Sequence, residues 1–259
     1  MPKSPQNNSL CIICEHESKA VQAQQFASEN KCHFFTERNT EYSLQLVYGE
    51  NVIELFDTQL DTSIHVDFIQ GALAHREQFG GGRGQAIAKA IGLKHGKTPT
   101  VLDATAGLAR DAYILATLGC KVMLVEQSPI LYTLIKDGIE RALASDAEHS
   151  VKNFTNLIHA DSVSYIKHAD SETPPDVIYI DPMYPERKKS ALVKKDMQIL
   201  HKLIGNTQKE DELLEAALGY AARRVVVKRP IHAKPINGKK PSVNISSKKT
   251  RYDIYITGK

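Results

Sequence analysis

The chain has 259 residues, 33 Lys+Arg against 30 Asp+Glu for a net charge of +3, 42% hydrophobic residues and no tryptophan. That balance excludes a disordered, collagenous or coiled-coil chain, and the length suits one large α/β domain with an appendage of about 60 to 80 residues. Four irregularly spaced cysteines (Cys11, Cys14, Cys32, Cys120), a start "MPKSPQNNSL" without an apolar signal core, and no apolar run of roughly 18 residues predict a soluble cytoplasmic protein without disulfide staples or a membrane role.

Residues 1–70 carry short strand-like runs, "LCIIC", "CHFF", "SLQLVYG", "NVIELFD" and "SIHVDFI", with one helical stretch near Ser18 to Glu29. They read as a small N-terminal α/β domain. Residues 71–99 form a glycine-rich connector in which Gly80, Gly81, Gly82 and Gly84 break any helix starting at Gly71, and a helix resumes near Gln85. Residues 100–259 alternate strand, turn and helix, from "TVLDATAGLARDAYILATLG" through "CKVMLVE" and "PILYTLIKDGIERALAS" to strands at "NLIHAD", "DVIYID" and "RRVVVKR". Helices are predicted at Ala191 to Ile204 and Glu210 to Ala222, and a Pro- and Lys-rich loop leads to the last strand, "RYDIYIT". Such a βαβ series predicts a parallel sheet.

In a doubly wound sheet, ligands sit beyond the carboxyl ends of the strands, where the first strand-to-helix turn offers N–H groups and a helix dipole. Here the turn is "DATAGLARD": Asp103 ends the strand, Ala104, Ala106 and Gly107 allow close approach, and Arg110 with Asp111 opens the helix. Glu126, about 20 residues on, ends the second strand, where a carboxylate can accept both hydroxyls of a ribose. The turn is not G-x-G-x-x-G, which counts against NAD or FAD and favours a nucleotide-type cofactor without phosphates. Asp161 and Ser162 end a further strand on the same edge, where they suit either an adenine contact or a helix N-cap.

The sharpest signal is "DPMYP", Asp181 to Pro185, directly after an apolar strand. It resembles the (Asp/Asn/Ser)-Pro-Pro-(Tyr/Phe) motif of S-adenosylmethionine-dependent methyltransferases that act on exocyclic amino groups of bases, with Met183 in place of the second proline. The lone pair of such an amine is delocalised into the ring. Two acceptors for its hydrogens, the Asp181 carboxylate and the Pro182 carbonyl, shift that density toward nitrogen. Proline fixes φ and so presents its carbonyl rigidly, and Tyr184 offers a face on which a base can stack.

Charge is unevenly distributed. Residues 171–259 hold 18 Lys+Arg against 10 Asp+Glu, and residues 1–170 hold 15 against 20. Ten basic and no acidic residues fall between Arg223 and Tyr252, which suits a polyanion.

With these motifs in view, the chain resembles the RsmJ family, methyltransferases that modify the N2 amino group of a guanine near the 3′ end of 16S ribosomal RNA. The resemblance runs over nearly the whole length, through "GALAHREQFGGGRGQAIAKA", "DATAGLARDAYILATLGCKV", "DPMYPERKKSALVKKDM" and "RRVVVKRP". It implies a class I S-adenosylmethionine-dependent methyltransferase core, Rossmann-like, with S-adenosylmethionine as methyl donor, 16S ribosomal RNA or the small ribosomal subunit as partner, and no metal. By motif matching it implies cofactor contacts at Arg110, Asp111, Glu126, Gln127, Asp161, Ser162 and Asp181, alongside Asp103 and Gly107 of the turn. Asp181, Pro182 and Tyr184 are the expected catalytic positions. Arg76, Arg83, Arg187, Lys188, Lys189, Lys194 and Lys195 are expected to meet RNA phosphate, with Lys228 and Arg229 nearer the site than the loop lysines.

Other patterns carry less. Cys11 and Cys14 have CxxC spacing but lie in an apolar strand without a second pair, and His65, His75 and His95 are scattered. A dinucleotide oxidoreductase and a catalytically silent RNA-binding module are the rival readings, opposed by the single-glycine turn and by the intact Asp181 and Tyr184 respectively. Adenine N6 is an alternative target, because the same two acceptors suit either amine.

Overall fold

In the computed structural model of the chain, the described residues are 9–70, 82–93, 97–145, 150–170, 172–182, 195–204 and 209–258. The strands before Ile69 form a sheet of their own. β1 (Leu10–Cys14), β2 (His33–Phe35), β3 (Leu44–Tyr48), β4 (Ile53–Asp57) and β5 (Thr62–Ile64) lie in the order β2-β1-β3-β4-β5, with α1 (Ala20–Glu29) connecting β1 to β2. β1 is parallel to β2 and β3, and β3-β4-β5 is an antiparallel meander.

α2 (Ala86–Ala90) begins after Gln85, where the helix was expected to resume. The second sheet contains β6 (Val101–Asp103), β7 (Val122–Glu126), β8 (Phe154–His159), β9 (Val177–Ile180), β10 (Arg224–Pro230), β11 (Val243–Ser246) and β12 (Thr250–Ile256), in the order β11-β12-β10-β9-β6-β7-β8. β6 and β9 are buried at every position, which is why they read as unbroken apolar runs. Five helices accompany this sheet: α3 (Arg110–Thr117), α4 (Pro129–Ala144), α5 (Ser162–His168), α6 (Lys195–Ile204) and α7 (Glu210–Tyr220). α4 starts on a Ser128 N-cap with proline at its first position.

The expectation of a parallel sheet holds for β8, β7, β6, β9 and β10 and fails for the last two strands. β12 runs antiparallel to β10 and to β11. A parallel return needs a crossover of a dozen or more residues, usually a helix, whereas β11 turns directly into β12 through Ser247 to Lys249. β11 was not anticipated from sequence, because "VNIS" is a short, largely exposed edge strand inside a Lys- and Pro-rich stretch.

The two sheets share one apolar core, in which Phe68 stacks on Tyr113 of α3 at 5.0 Å. Polar ties reinforce it: Asp137 on α4 accepts from the Ile53 amide at 3.2 Å, Lys202 on α6 pairs with the buried Asp57 at 2.7 Å, and Lys195 donates to the Leu60 carbonyl. The N-terminal sheet thus braces α4 and α6, two helices that help enclose the site. Among the described residues, no helix is long and apolar enough to cross a membrane.

Candidate active site

From β6 the chain builds outward to β7 and β8, then returns to the other side of β6 to add β9. Connections leave the carboxyl ends of β6 and β9 in opposite directions, and a crevice opens there. It holds a cavity of about 860 Å³, a size that suits a cofactor together with part of a substrate.

The turn after β6 forms its floor. Gly107 has φ +59°, a left-handed conformation that glycine adopts without penalty. Ala109, at the N-cap of α3, has φ +55°. Asp103 is buried, accepts from the Thr105 amide at 3.0 Å, and is pushed up to about 8 by burial, with the negative neighbours Asp111, Asp181 and Glu126 adding to the effect.

Glu126 closes one side. One carboxylate oxygen accepts from the Gly107 amide and the other from the Ser128 amide, both at 2.8 Å. Burial raises its pKa, and these backbone donors oppose that. A carboxylate oxygen can accept more than one hydrogen bond, so a ribose edge can still be received. Gln127 and Asp161 also line the cavity. Asp161 serves as the N-cap of α5, accepting from the Ser164 amide, and pairs with Lys209 at 3.5 Å. Ser162 lines the wall too, but its hydroxyl donates to the Ala104 carbonyl at 2.6 Å.

Asp181 closes the other side. Its amide donates to Thr105 Oγ1 at 2.7 Å, which ties the start of the "DP" turn to the cofactor turn. Its Oδ2 is 2.7 Å from Lys228 Nζ, and that ammonium is also 2.6 Å from Asp111 Oδ2. The Tyr179 hydroxyl donates to the same Asp111 oxygen at 2.6 Å. Burial pushes the Asp181 carboxyl up to about 6 against the pull of Lys228, and Asp111 pushes the same way as burial. Pro182 lines the cavity beside it.

Every expected cofactor position and Pro182 therefore line one cavity. Arg110 is among them, with its guanidinium paired to Asp196 of α6 at 2.8 Å. Lys228 and Arg229 line it as well, with partners of their own: Lys228 holds two carboxylates, and Arg229 pairs with Glu210 at 3.2 Å and donates to the Lys234 carbonyl. Arg83 is exposed in a 3-10 turn and is not among the residues that line the cavity, and Lys195 starts α6. Arg76, Tyr184, Arg187, Lys188, Lys189 and Lys194 lie outside the described residues. Sequence reasoning missed Tyr179, the Met197, Leu200 and Ile204 face of α6, and Lys249 with Thr250 at the start of β12. The α6 face had a signal in its spacing of three and four residues. The Asp111 partnership of Tyr179 had none.

The model for the family described as "Putative SAM-dependent methyltransferase" matches residues 29–257. A protein of Aeromonas salmonicida named ribosomal RNA small subunit methyltransferase J is 46% identical over 250 residues, covering 95% of this chain and 96% of its own. Another of that name, from Colwellia psychrerythraea, is 50% identical over 216 residues, covering 83% of this chain and 78% of its own. The chain belongs to the ribosomal RNA small subunit methyltransferase J family. A crystallised SAM-dependent methyltransferase of Neisseria gonorrhoeae superposes with a TM-score of 0.75 at 31% identity, covering 96% of each chain. The methyltransferase J fold is accordingly the class I SAM-dependent methyltransferase fold, with S-adenosylmethionine (SAM) as cofactor. The site fits that group. Among the described residues it offers a buried carboxylate able to accept from hydroxyls and no glycine-rich phosphate cradle, and Glu126, Asp111 and Asp181 suit a cationic sulfonium. Among the described residues, no group of three or more His, Cys, Asp or Glu is arranged to hold a metal.

Proposed function

We propose that the chain transfers a methyl group from SAM to the N2 amine of a guanine in 16S ribosomal RNA. The observation that carries this reading is the placement of Asp181 and Pro182 on the same cavity as Glu126, so that an amine-accepting pair faces a ribose-accepting acid. The small-subunit RNA is supported by the names of the relatives, and guanine N2 by the motif resemblance.

When bound, SAM supplies an electrophilic methyl on a sulfonium, which departs as a neutral thioether once nitrogen has taken the methyl. Glu126 orients the ribose, and the turn at Gly107 lets the cofactor lie against the backbone. Asp181 and the Pro182 carbonyl accept the two amine hydrogens, which orients the nitrogen lone pair and raises its electron density. Nitrogen becomes cationic as it gains the methyl, and Asp181 receives the proton it then sheds. The motif resemblance assigns base stacking to Tyr184, and the basic residues that follow it in sequence, Arg187, Lys188, Lys189 and Lys194, suit RNA phosphate by their charge. The N-terminal sheet acts as a domain that braces α4 and α6 around the cofactor site.

The test is transfer of labelled methyl from SAM to unmodified small ribosomal subunits, followed by digestion to nucleosides. Label in N2-methylguanosine is expected. Label in N6-methyladenosine would keep the chemistry and overturn the target. No label on subunits or naked RNA, despite cofactor binding, would overturn the reading.

A further inference from the structure

Lys228 lies in the "RRVVVKRP" motif, two residues before its end, and phosphate binding does not explain its place there. β9 and β10 are parallel with Ile180 opposite Val227, so the residues that follow, Asp181 and Lys228, emerge side by side at the cavity. An ammonium has three donors, and two of those of Lys228 reach carboxylates, Asp181 Oδ2 at 2.7 Å and Asp111 Oδ2 at 2.6 Å. Asp111 is itself fixed by the hydroxyl of Tyr179, which is fully buried in β9. A cation this firmly held between two acids of the cavity wall has little freedom to follow a mobile phosphate backbone.

We propose that Lys228 is a positioning residue for methyl transfer: it grips Asp181 through Oδ2, keeping that carboxylate ionised and turned so that its remaining lone pairs meet the substrate amine, while Asp111 and Tyr179 hold Lys228 in place. The proposal rests on the reading of Asp181 as the amine acceptor.

The groups that face Asp181 decide how its titration responds. Lys228 comes from β10, Asp111 from α3, Asp103 from β6 and Tyr179 from β9. Burial pushes Asp103 up to about 8, which favours its neutral form near pH 7, and Lys228 and Asp111 are the charges that act on Asp181. They act with opposite sign. Removing Lys228 favours the protonated acid, and removing the Asp111 charge favours the ionised one.

The experiment compares pH–kcat profiles of wild type, Lys228→Met and the isosteric Asp111→Asn, with SAM affinity by calorimetry and transfer to unmodified small subunits as the assay. Lys228→Met is expected to lower kcat about 100-fold at pH 7 and to move the acid limb upward by about 1 to 3 pH units, with cofactor affinity within about threefold of wild type. Asp111→Asn is expected to move the limb downward. An acid limb left in place by Lys228→Met, whatever the rate, overturns the proposal, as does movement of both limbs in one direction. Should Lys228→Met not fold, a limb unmoved or raised in Asp111→Asn overturns it alone. The parallel variant Asp181→Ala separates the two claims: full transfer by it defeats the acceptor reading itself, whereas loss of transfer by it with an unmoved Lys228→Met limb defeats only the role of Lys228.

Discussion

Glu126 and Asp181 stand at strand ends on either side of β6, yet they are held by different means. Glu126 is gripped by two backbone amides, those of Gly107 and Ser128, whose positions follow from the path of the main chain. Among the described residues, Asp181 is gripped at its carboxylate by one side chain, Lys228. Donors fixed in the backbone suit a group that must only bind, because no single side chain governs them. A side-chain cation suits a group whose ionisation has to be tuned, since its removal shifts the titration while the fold persists.

The sharpest break in this comparison is Asp181→Ala. Transfer should fall by about 10³-fold or more, because an acceptor needed in the transition state is gone, while SAM affinity stays near wild type. Single-turnover transfer with parallel calorimetry measures both, and turnover at the wild-type rate would refute the assignment. Glu126→Ala should do the reverse. Loss of a buried charged acceptor that serves both ribose and two amides costs about 1.5 to 3 kcal/mol, a weakening of SAM binding by about 10- to 150-fold, with kcat at saturating cofactor much less affected. Unchanged affinity would remove Glu126 from the cofactor site.

Titration sharpens the same contrast. Burial pushes Asp181 up to about 6, so kcat/KM should fall as pH drops through that value, by about tenfold per unit below it. The sign follows from the chemistry: the proton occupies a lone pair that the substrate amine must use. A flat profile between pH 5 and about 7 would show that Asp181 does not need its charge.

Which side chains follow which strand was legible in the sequence, and that covers most of the cavity. The unbroken apolar runs of β6 and β9, the small residues of the Asp103 to Gly107 turn and the Asp181-Pro182 pair all announce themselves locally. What stayed hidden depends on which strands become neighbours. That Lys228 meets Asp181 requires the β9–β10 register, and that it also meets Asp111 requires α3 to lie across the strand ends. Arg229 reads as a free cation until α7 brings Glu210 to it. The reversal of β12 was concealed because its partner β11 is short and largely exposed, and its apolar alternation amounts to only Val243 and Ile245 inside a Lys- and Pro-rich stretch.

Asp103 gives the smallest expected effect and the cleanest control. It ends β6 between the other two acids, and burial pushes it up to about 8, so near pH 7 it is mostly neutral. Asparagine reproduces a neutral acid in shape and keeps an oxygen for the Thr105 amide, so Asp103→Asn should leave turnover near wild type at pH 7. Stability should differ only with pH. A carboxyl whose folded pKa lies above its unfolded value contributes stability that is fully present below the unfolded pKa and is lost as pH rises through the folded one. Wild type should therefore lose thermal stability relative to Asp103→Asn as pH is raised from about 5 to 9, because the folded protein must either keep a proton that the unfolded chain has released or bury a charge. Melting curves of the two proteins that run parallel across that range would show that Asp103 is ionised in the fold. The cavity would then hold one more negative charge than the contrast between Glu126 and Asp181 assumes.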